Sequence, residues 1–484
     1  MKKYIISAYI VLTVSIGSTA QIFRPGHHIQ CYFTRPVDTT VARTEKAISL
    51  IRTAGDTVIA YINRAKYTLD IAMYDFVEDS TWFEQGYIAN IAAAINRAYA
   101  RGIKIRWVCN QIDSAYSPNT GLDSINKAIF TLHSPLGNNY GIMHNKFMVI
   151  DGRSSNPNDP ILWTGCMNWE PGQIDKDANN IVILQDSALA HCYLTEFNQM
   201  WGDTVEGGKY NLTNSKFGKY KKDIMRHSFV VDGHKVEAYF SPTDTTSNHI
   251  VSTILSAKTE IDFGVFEFSY TADANAIVTM IKKGTYVAGI MDQYSLQYTP
   301  YSTLSNYLGS MLHIYAGTDS LFHNKYVIID PCNMLADPMV LTGSHNWTNE
   351  AEIYNDENIL IIHDSTTANL FYQAFHKEFY SLGGTMIQHC IPLGINEVKT
   401  NNKEVIVFPN PNYGKFILQL NNDQQIKEND QVEIYNMIGQ KIYTALLQSN
   451  TIHIDLGTQA QGVYLYRVIS ADENTKVTGK FIIQ

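Results

Sequence analysis

The segment His144-Asn145-Lys146-Phe147-Met148-Val149-Ile150-Asp151 organises the whole chain, because it returns as His323-Asn324-Lys325-Tyr326-Val327-Ile328-Ile329-Asp330. In each copy a run of apolar residues follows the polar triplet, which is typical of a buried strand. Side chains alternate along a strand, so the His and the Lys share one face and the Asn between them points away. The sequence therefore predicts two equivalent strands, each carrying a His/Lys pair.

Further segments recur around these two copies in an unchanged order, which indicates a duplicated domain. The paired ranges are 69–76 and 261–268, 102–111 and 284–293, 164–169 and 342–347, and 180–184 and 358–362. Within each copy, short apolar runs alternate with longer amphipathic stretches such as residues 88–100. This alternation predicts helices layered on a sheet, so each half is expected to be α/β.

The ends of the chain predict export and a third domain. Residues 1–20 run from Lys2-Lys3 through an apolar stretch to Ser18-Thr19-Ala20, the order of a secretory signal. We place the first half at 21–225, the second at 226–395, a linker at 396–402 and a C-terminal domain at 403–484. Residues 209–226 are polar and basic and are interpreted as a solvated linker or loop, with a role in holding phosphates or anionic lipid surfaces as the alternative.

Composition narrows the classes of protein. With 45% hydrophobic and 17% charged residues the chain is globular, and its net charge of -9 weakens non-specific attraction to nucleic acid, although a local basic cleft could override it. The spacing of the six cysteines resembles no metal site. Cys109 lies in an apolar run, where we expect a buried free thiol. The cysteines are Cys31, Cys109, Cys166, Cys192, Cys332 and Cys390.

The C-terminal region predicts an all-β sandwich, because strand-like runs at 416–420, 432–435, 452–456 and 463–468 are separated by Asn, Gly and Asp clusters. Its Phe408-Pro409-Asn410-Pro411 opening, the hairpin at 434–440 and the closing Gly479-Lys480-Phe481 together resemble the C-terminal sorting domain of the type IX secretion pathway. That resemblance implies passage across an outer membrane to the cell surface or medium, with the secretion machinery as partner. A surface-binding sandwich module is the alternative.

Two His/Lys pairs in equivalent places point to phosphoryl chemistry. A neutral imidazole can attack or donate a proton, and the lysine beside it supplies positive charge for a phosphate oxygen. Bringing the copies together gathers two His, two Lys and the two amides Asn168 and Asn346 around one phosphate. One His attacks phosphorus, the other protonates the leaving oxygen, and water then releases the phosphohistidine. This scheme requires no metal and no cofactor.

These residues resemble the phospholipase D superfamily, whose motif is His-x-Lys, four residues, Asp, followed by Gly-Ser-x-x-Asn. The resemblance covers about residues 29–390. It implies two pseudo-twofold-related α-β-α sandwich halves with one active site between them, a phosphohistidine and metal independence. It carries catalytic roles to His144, Lys146 and Asp151 and to His323, Lys325 and Asp330, although the motif aspartates in this family mostly brace the local structure.

The two copies depart from each other at two positions. Ser344, assigned with Asn168 and Asn346 to substrate binding, is replaced by Cys166 in the first copy. The second copy has Glu357 before its last strand, where the first has Asn179, with Asp177 two residues earlier. In the family this acid orients the histidine of the opposite half, which makes Glu357 a further catalytic residue. We therefore expect His144 to be the nucleophile and His323 the general acid.

The family includes phospholipases, phosphatidyl transferases and nucleases, and the fold does not choose among them. The export signal and the acidic body favour a phospholipase D that releases a headgroup alcohol. The basic linker and the His-Asn-Lys spelling favour an endonuclease as the alternative, and a non-enzymatic phosphate-binding surface protein is a third reading. No obligate protein partner is expected, since a monomer with an internal pseudo-dimer supplies both His/Lys pairs.

Overall fold

A computed structural model describes residues 26–79, 86–111, 119–137, 140–385, 405–420, 427, 429–437, 439–457, 459–469 and 475–484. The expected signal at 1–20 and the expected linker at 396–402 lie outside these ranges. The chain divides into two compact units, Met1–Leu393 and Gly394–Gln484.

The first half of the larger unit alternates strands and helices. Its elements are β1 (Ile29–Phe33), β2 (Ile48–Ser49), α1 (Ala54–Arg64), β3 (Thr68–Met73), α2 (Tyr87–Ala100), β4 (Lys104–Cys109), β5 (Phe130–His133), β6 (Lys146–Ile150), β7 (Ile161–Gly165), α3 (Pro171–Asp175), β8 (Asn180–Leu184) and α4 (Ser187–Trp201). The amphipathic stretch at 88–100 forms α2, whose isoleucines are buried on one face together with Ala92, Ala94 and Ala98. β6 is the strand predicted from the first His-Asn-Lys segment.

The second half repeats this order. Its elements are β9 (Ser228–Val231), β10 (His234–Ser241), α5 (Thr246–Ser256), β11 (Glu260–Val265), α6 (Thr271–Lys282), β12 (Tyr286–Asp292), α7 (Thr299–Leu308), β13 (Leu312–Tyr315), β14 (Lys325–Ile329), β15 (Met339–Gly343), α8 (Asn349–Ile353), β16 (Glu357–His363) and α9 (Ser365–Ser381). β14 is the counterpart of β6 and follows the second His-Asn-Lys segment.

Each half is built on one mixed eight-stranded sheet. The strand orders are β2-β1-β8-β7-β6-β3-β4-β5 and β13-β12-β11-β14-β15-β16-β10-β9. In both sheets the strand after the His-Asn-Lys segment runs antiparallel to both its neighbours, β3 and β7 in one half and β11 and β15 in the other. The duplicated α/β architecture predicted from the sequence is confirmed.

The two halves share one hydrophobic core, and each also has an outer core of its own. In the shared core, Phe33 on β1 packs edge-on against Phe371 on α9, with ring centroids 5.0 Å apart. Tyr193 on α4 meets Phe240 on β10 at 4.9 Å. Because α4 and α9 contribute to a core that both sheets line, the halves are held together in a fixed arrangement.

The C-terminal unit is all-β, as predicted. Its strands are β17 (Val405–Phe408), β18 (Lys415–Leu420), β19 (Gln431–Tyr435), β20 (Lys441–Leu446), β21 (Thr451–Asp455), β22 (Gly462–Ile469) and β23 (Thr475–Ile483). They form a three-stranded sheet, β17-β18-β21, and a four-stranded sheet, β20-β19-β22-β23. Phe416 and Leu418 from the first sheet and Val432 and Phe481 from the second belong to one buried cluster, so the two sheets pack as a sandwich.

Cys109 is a buried free thiol, as expected, and Cys31, Cys166 and Cys192 are also free, whereas Cys332 is disulfide-bonded. Within the described ranges, every helix is too short or too polar to cross a bilayer.

Candidate active site

The first histidine lies in the short lead-in to β6. His144 is 6% exposed, and its ring meets the ring of Tyr74 edge-on at 4.7 Å, just beyond the end of β3. Its backbone N–H donates to the carbonyl of Asp356 in the other half at 3.0 Å. The nucleophile predicted from the sequence is therefore fixed by contacts from both halves.

The second histidine has a matching position before β14. His323 is 4% exposed and packs against the ring of Phe266, the counterpart of Tyr74, at 5.0 Å. The lead-in to His323 also pairs with the opposite half, since the backbone N–H of Ala178 donates to the carbonyl of Leu321 at 2.8 Å. The two histidines thus occupy pseudo-equivalent places at the junction of the halves.

The two lysines are buried beside their histidines. Nζ of Lys146 donates to the carbonyl of His144 at 2.6 Å, and Nζ of Lys325 donates to that of His323 at 2.5 Å. Each ammonium also lies over an aromatic ring, Tyr74 at 4.7 Å and Phe266 at 4.8 Å. The motif spacing therefore gives the same local geometry in both halves.

A carboxylate reaches His144 from the opposite half. Both oxygens of Glu357, at the start of β16, lie 2.8 Å from Nδ1 of His144. The equivalent contact of His323 is to a neutral amide, with its Nδ1 3.0 Å from Oδ1 of Asn179. Because carboxylate and amide oxygens accept hydrogen bonds, each Nδ1 carries the proton and each Nε2 retains its lone pair when the ring is neutral.

The difference between Ser344 and Cys166 follows the difference between Glu357 and Asn179. The hydroxyl of Ser344 donates to Oε2 of Glu357 at 2.6 Å, whereas the thiol of Cys166 lies 3.4 Å from Oδ1 of Asn179. The single hydroxyl proton of Ser344 is thus bonded to Glu357, and its assignment to substrate binding stays a prediction. Ser344 supports the acid that holds His144.

The charges of the site are set by burial and by the close approach of its groups. Burial lowers the pKa of His144 to about 4 although Glu357 opposes this, and burial together with Lys325, Lys146 and His144 places the pKa of His323 well below its ordinary value. Burial opposes the ionisation of Glu357, but His144 and Lys146 outweigh it and lower its pKa to about 2. At neutral pH the pair is therefore an ionised carboxylate and a neutral imidazole.

The lysines are affected in the same way. Burial lowers the pKa of Lys146 to about 7, with Glu357 opposing and Lys325 assisting. Burial also lowers the pKa of Lys325 to about 8. A bound phosphate anion would favour the charged forms of both, so the site gains positive charge when such a ligand enters.

The motif aspartates lie at the far ends of β6 and β14. Asp151 accepts hydrogen bonds from the backbone N–H groups of Lys66, Tyr67 and Thr68, and Asp330 accepts from those of 258–260. Both adopt positive φ, 51° and 50°. They fix the entry into β3 and β11 rather than meeting the histidines, as the resemblance implied.

The two predicted amides follow β7 and β15. Nδ2 of Asn168 donates to Oε1 of Glu170 at 3.3 Å. The side-chain oxygens of Asn168 and Asn346 are both buried and accept no hydrogen bond from any described residue. Lys146 interacts electrostatically with Glu170, which places the Asn168 side of the site near this lysine.

Two hydrogen bonds between asparagine side chains of opposite halves were not predicted from the sequence. Nδ2 of Asn358 donates to Oδ1 of Asn145 at 2.9 Å, and Nδ2 of Asn180 donates to Oδ1 of Asn324 at 2.8 Å. The middle residue of each His-Asn-Lys triplet thus holds the last strand of the opposite half. The signal was present, because the same asparagines occur at both places in both copies.

A second missed group is Asp75, the residue after Tyr74. Burial and Glu170 raise the pKa of Asp75 to about 8, although Lys146 opposes this. Asp177 is also shifted, since burial raises its pKa to about 7, and its Oδ1 accepts from the backbone N–H of Leu321 at 2.7 Å. Asp177 therefore positions the lead-in to His323 and does not replace Glu357.

Most of the basic residues in the stretch at 209–226 are exposed, in agreement with its interpretation as a solvated segment, but Lys221 is an exception. Lys221 is fully buried, where it pairs with Glu196 and, at 2.8 Å, with Oδ1 of Asp356. Oδ1 of Asp356 also accepts from the backbone N–H of Gly218 at 2.8 Å. Glu196 and Asp356, both distant in sequence, thus compensate the charge of Lys221. Because Asp356 directly precedes Glu357, this stretch is anchored next to Glu357.

Among the described residues, one group of carboxylates and imidazoles is compact enough for a cation: Asp223, His227 and Asp244. It shares no residue with the histidine pairs. Both ring nitrogens of His227 already have partners, the carbonyl of Ala238 at 2.8 Å and Asp223 at 2.9 Å. The group is accounted for by hydrogen bonds within the protein.

Comparison with known families matches both parts of the chain. Residues 58–201 and 250–379, more than half of the chain, match the family described as "Cardiolipin synthase, PLD-like domain". Residues 406–484 match the "Secretion system C-terminal sorting domain". The chain belongs to the phospholipase D-like family and carries a C-terminal sorting domain, so both sequence resemblances are confirmed.

Curated relatives cover part of the chain. The "Mitochondrial cardiolipin hydrolase" of Drosophila melanogaster is 26% identical over 157 residues, 30% of this chain and 57% of that protein. The "Phospholipase D" of Rickettsia prowazekii is 26% identical over 172 residues, 35% of this chain and 77% of that protein. The chain thus spans less than two thirds of the length of several such relatives.

Solved structures are also similar. The phosphatidylserine synthase of Haemophilus influenzae Rd KW20 has a TM-score of 0.49 at 12% identity, covering 75% of this chain and 88% of that one. The phospholipase D family member Nuc of Salmonella typhimurium has a TM-score of 0.26 at 24% identity, covering 30% of this chain and 94% of that one.

Proposed function

We propose that the chain is a metal-independent phosphodiesterase that acts through a phosphohistidine on His144. The observation that carries this proposal is the contact between Glu357 and His144 at 2.8 Å, against the neutral Asn179 beside His323. A carboxylate at Nδ1 fixes the tautomer that leaves Nε2 free to attack. It also stabilises the positive ring that forms when Nε2 bonds to phosphorus.

In the first step, Nε2 of His144 attacks phosphorus and the bond from phosphorus to the leaving alcohol oxygen breaks. His323, protonated at Nε2, gives that proton to the leaving oxygen. In the second step, His323 takes a proton from water, whose oxygen displaces His144 from phosphorus. The products are an alcohol and a phosphomonoester, and both histidines return to their starting states.

The remaining groups stabilise charge on the phosphate. Lys146 and Lys325 provide cations from both sides of the junction, and Asn168 and Asn346 provide amides. His323 is largely neutral in the free enzyme because its pKa is lowered. The incoming phosphodiester anion favours the protonated ring, so substrate binding prepares the general acid.

We propose a phospholipid as substrate, with release of the headgroup alcohol and formation of phosphatidic acid. Relatives named cardiolipin hydrolase and phospholipase D support this choice. The net charge of -9 also disfavours a polyanionic nucleic acid. We further propose that the protein is exported through the secretion machinery that reads its sorting domain, and that it works as a monomer, since one chain supplies both His/Lys pairs.

The full-length protein tests this proposal in the presence of a chelator. It is incubated with phosphatidylcholine or cardiolipin vesicles, with plasmid DNA and with single-stranded nucleic acid, alongside a His144→Asn variant. We expect headgroup release by the unmodified protein only. Strand scission would establish the nuclease alternative, silence on all substrates would reject an enzyme, and activity that requires added metal would reject the mechanism.

A further inference from the structure

The loop between the halves has a charge opposite to that of the rest of the chain. Residues 207–222 read Gly-Gly-Lys-Tyr-Asn-Leu-Thr-Asn-Ser-Lys-Phe-Gly-Lys-Tyr-Lys-Lys, with five lysines and no acidic residue, whereas the whole chain has a net charge of -9. Lys221 is buried with its acidic partners. The other four lysines are exposed and give this loop a local positive surface: Lys209, Lys216, Lys219 and Lys222.

Apolar side chains project from the same surface. Leu212 is 69% exposed and Tyr220 is 45% exposed, and Leu136, from the neighbouring segment after β5, is 46% exposed. Single exposed apolar residues are ordinary on protein surfaces, but here they alternate with lysines along one loop. Cations interleaved with Leu and Tyr are the combination that proteins place at the headgroup level of a bilayer.

Leu212 and Tyr220 also line a cavity. Tyr140 and Tyr220 have ring centroids 5.2 Å apart. Together with Leu132, Leu212 and Phe217 they line a cavity of about 290 Å³ that also borders Lys216. The loop therefore presents a concave surface of mixed character, in which aromatic and leucine side chains adjoin the polar side chains of His133, Ser215 and Lys216.

The loop is also fixed against the candidate active site. Gly218 lies in the left-handed region at φ 52°, and a Cβ there would meet the carbonyl oxygens of Tyr140 and Tyr354 at 2.8 and 2.9 Å. Residue 140 leads directly into His144, and residue 354 leads into Glu357. Because Lys221 and Gly218 both bond Asp356, the surface is held beside the segments that carry the nucleophile and its acid.

We propose that the 207–222 surface docks the protein on anionic phospholipid bilayers, with its exposed lysines over the headgroup phosphates and Leu212 and Tyr220 in the interfacial layer. This inference rests on the proposed lipid substrate. The protruding leucine favours a bilayer over a nucleic acid, since it has an apolar layer to enter there. The absence of arginine from residues 207–222 also agrees, since arginine is the residue that most often reads base edges in the major groove.

The test compares two full-length quadruple variants with the same charge change. One carries Lys209→Gln, Lys216→Gln, Lys219→Gln and Lys222→Gln, and the control carries Lys127→Gln, Lys258→Gln, Lys283→Gln and Lys377→Gln, all exposed positions. Binding is measured by co-sedimentation with vesicles of phosphatidylcholine containing phosphatidylglycerol. We expect the loop variant to bind at least about 100-fold more weakly and the control to bind within about threefold of the unmodified protein.

Three companion measurements separate the possible failures: thermal unfolding, hydrolysis of a short-chain phospholipid and binding to duplex DNA. The unfolding temperatures of both variants must match that of the unmodified protein. We expect this result because all the substituted lysines are exposed. Hydrolysis of a monomeric short-chain phosphatidylcholine should be unchanged in the loop variant. Complete inactivity of the unmodified protein on this substrate would reject the lipid function. Vesicle binding would still be judged separately in that case. Equal vesicle binding by both variants, or loss of duplex DNA binding without loss of vesicle binding, would overturn the docking proposal.

Discussion

Glu357 belongs to the second half of the molecule, yet both its carboxylate oxygens lie 2.8 Å from Nδ1 of His144 in the first half. The pseudo-equivalent partner of His323 is the neutral Asn179. The two histidines thus differ in the partner that each receives from the opposite half, a carboxylate for His144 and a neutral amide for His323. We infer from this difference that the duplicated motif serves two distinct roles, with His144 as the nucleophile and His323 as the general acid.

Glu357→Gln keeps the shape of the acid and removes its charge. Because the positive ring formed by attack loses its counter-ion, we expect kcat to fall by about 10²–10⁴-fold. The matched control is Asn179→Ala, which removes only a neutral partner and should cost much less. Steady-state kinetics on a short-chain phospholipid measure both variants, and equal losses would show that the halves are functionally equivalent.

Removal of the general acid should trap the intermediate. In His323→Asn, His144 can still attack a substrate with a good leaving group, but no imidazole activates the water of the second step. We expect phosphoprotein labelled at residue 144, detected by peptide mapping after brief exposure to a substrate with radioactive phosphorus. His144→Asn should remain unlabelled, and label on His323 in that variant would reverse the assigned roles.

The maximum of kcat/KM should lie at acidic pH. Protonation of His144, whose pKa burial lowers to about 4, removes its attacking lone pair below that pH. Above pH 7–8 the site loses positive charge, because burial lowers the pKa of Lys146 to about 7 and that of Lys325 to about 8. The lowered pKa of His323 acts in the same direction, since the acid must be protonated. We expect a maximum between about pH 4 and 7, and a profile that still rises between pH 8 and 9 would contradict this assignment.

The sequence predicted the α/β halves and the His/Lys pairs because these depend on local patterns. The two-residue spacing predicts that His144 and Lys146 lie together, although β6 begins at Lys146 and His144 lies in its lead-in, and the duplication supplies the partner pair. These features are carried by residues that are close in the chain. The role of Glu357 was instead implied by the resemblance to the phospholipase D superfamily, since its contact with His144 joins residues that are distant in sequence.

Features that depend on distant partners were not predicted. Lys221 looked like part of a solvated basic stretch, since nothing near it in sequence reveals Glu196 and Asp356 as its buried partners. Asn145 was expected only to point away, but its target in the opposite half could not be named from strand alternation. Burial in these cases is decided by the packing of the two halves, which a local pattern does not encode.

Lys221 should stabilise the junction strongly. Its side chain is fully buried, and its replacement by methionine would leave Glu196 and Asp356 as uncompensated buried acids. We expect Lys221→Met to lower the free energy of unfolding by about 3–5 kcal/mol. The exposed neighbour provides the control, since Lys222→Met should change stability by no more than about 0.5 kcal/mol. Urea denaturation measures both, and similar values would show that the ion cluster contributes nothing.

The halves also differ in a buried ion pair away from the site. Oδ1 of Asp70 on β3 accepts from Nε of Arg106 at 2.6 Å, and these residues are in register on neighbouring strands. The counterpart of Asp70 is Asp262, whose neighbour in register on β12 is Ala288. Asp262 is fully buried, and neither of its oxygens accepts a hydrogen bond within the described part of the chain. The second half therefore keeps the acid without its cation.

This difference predicts opposite effects of the same substitution. Burial, assisted by Glu260, raises the pKa of Asp262 well above its ordinary value. Below about pH 4 the folded and unfolded chains both hold this proton, so the acid carries no ionisation cost. As the pH rises, the unfolded chain releases the proton while the folded chain retains it, and stability falls by about 1.4 kcal/mol per pH unit until the folded pKa is reached.

Asp262→Asn removes this titration and should be more stabilising at pH 7 than at pH 4. Asp70→Asn should instead destabilise the protein by about 3–5 kcal/mol at pH 7, because it leaves Arg106 charged and buried with only the neutral acceptors of Asp203 and Asn198. Urea denaturation of both variants at the two pH values measures these effects, and a pH-independent effect of Asp262→Asn would show that this acid is already ionised in the folded protein.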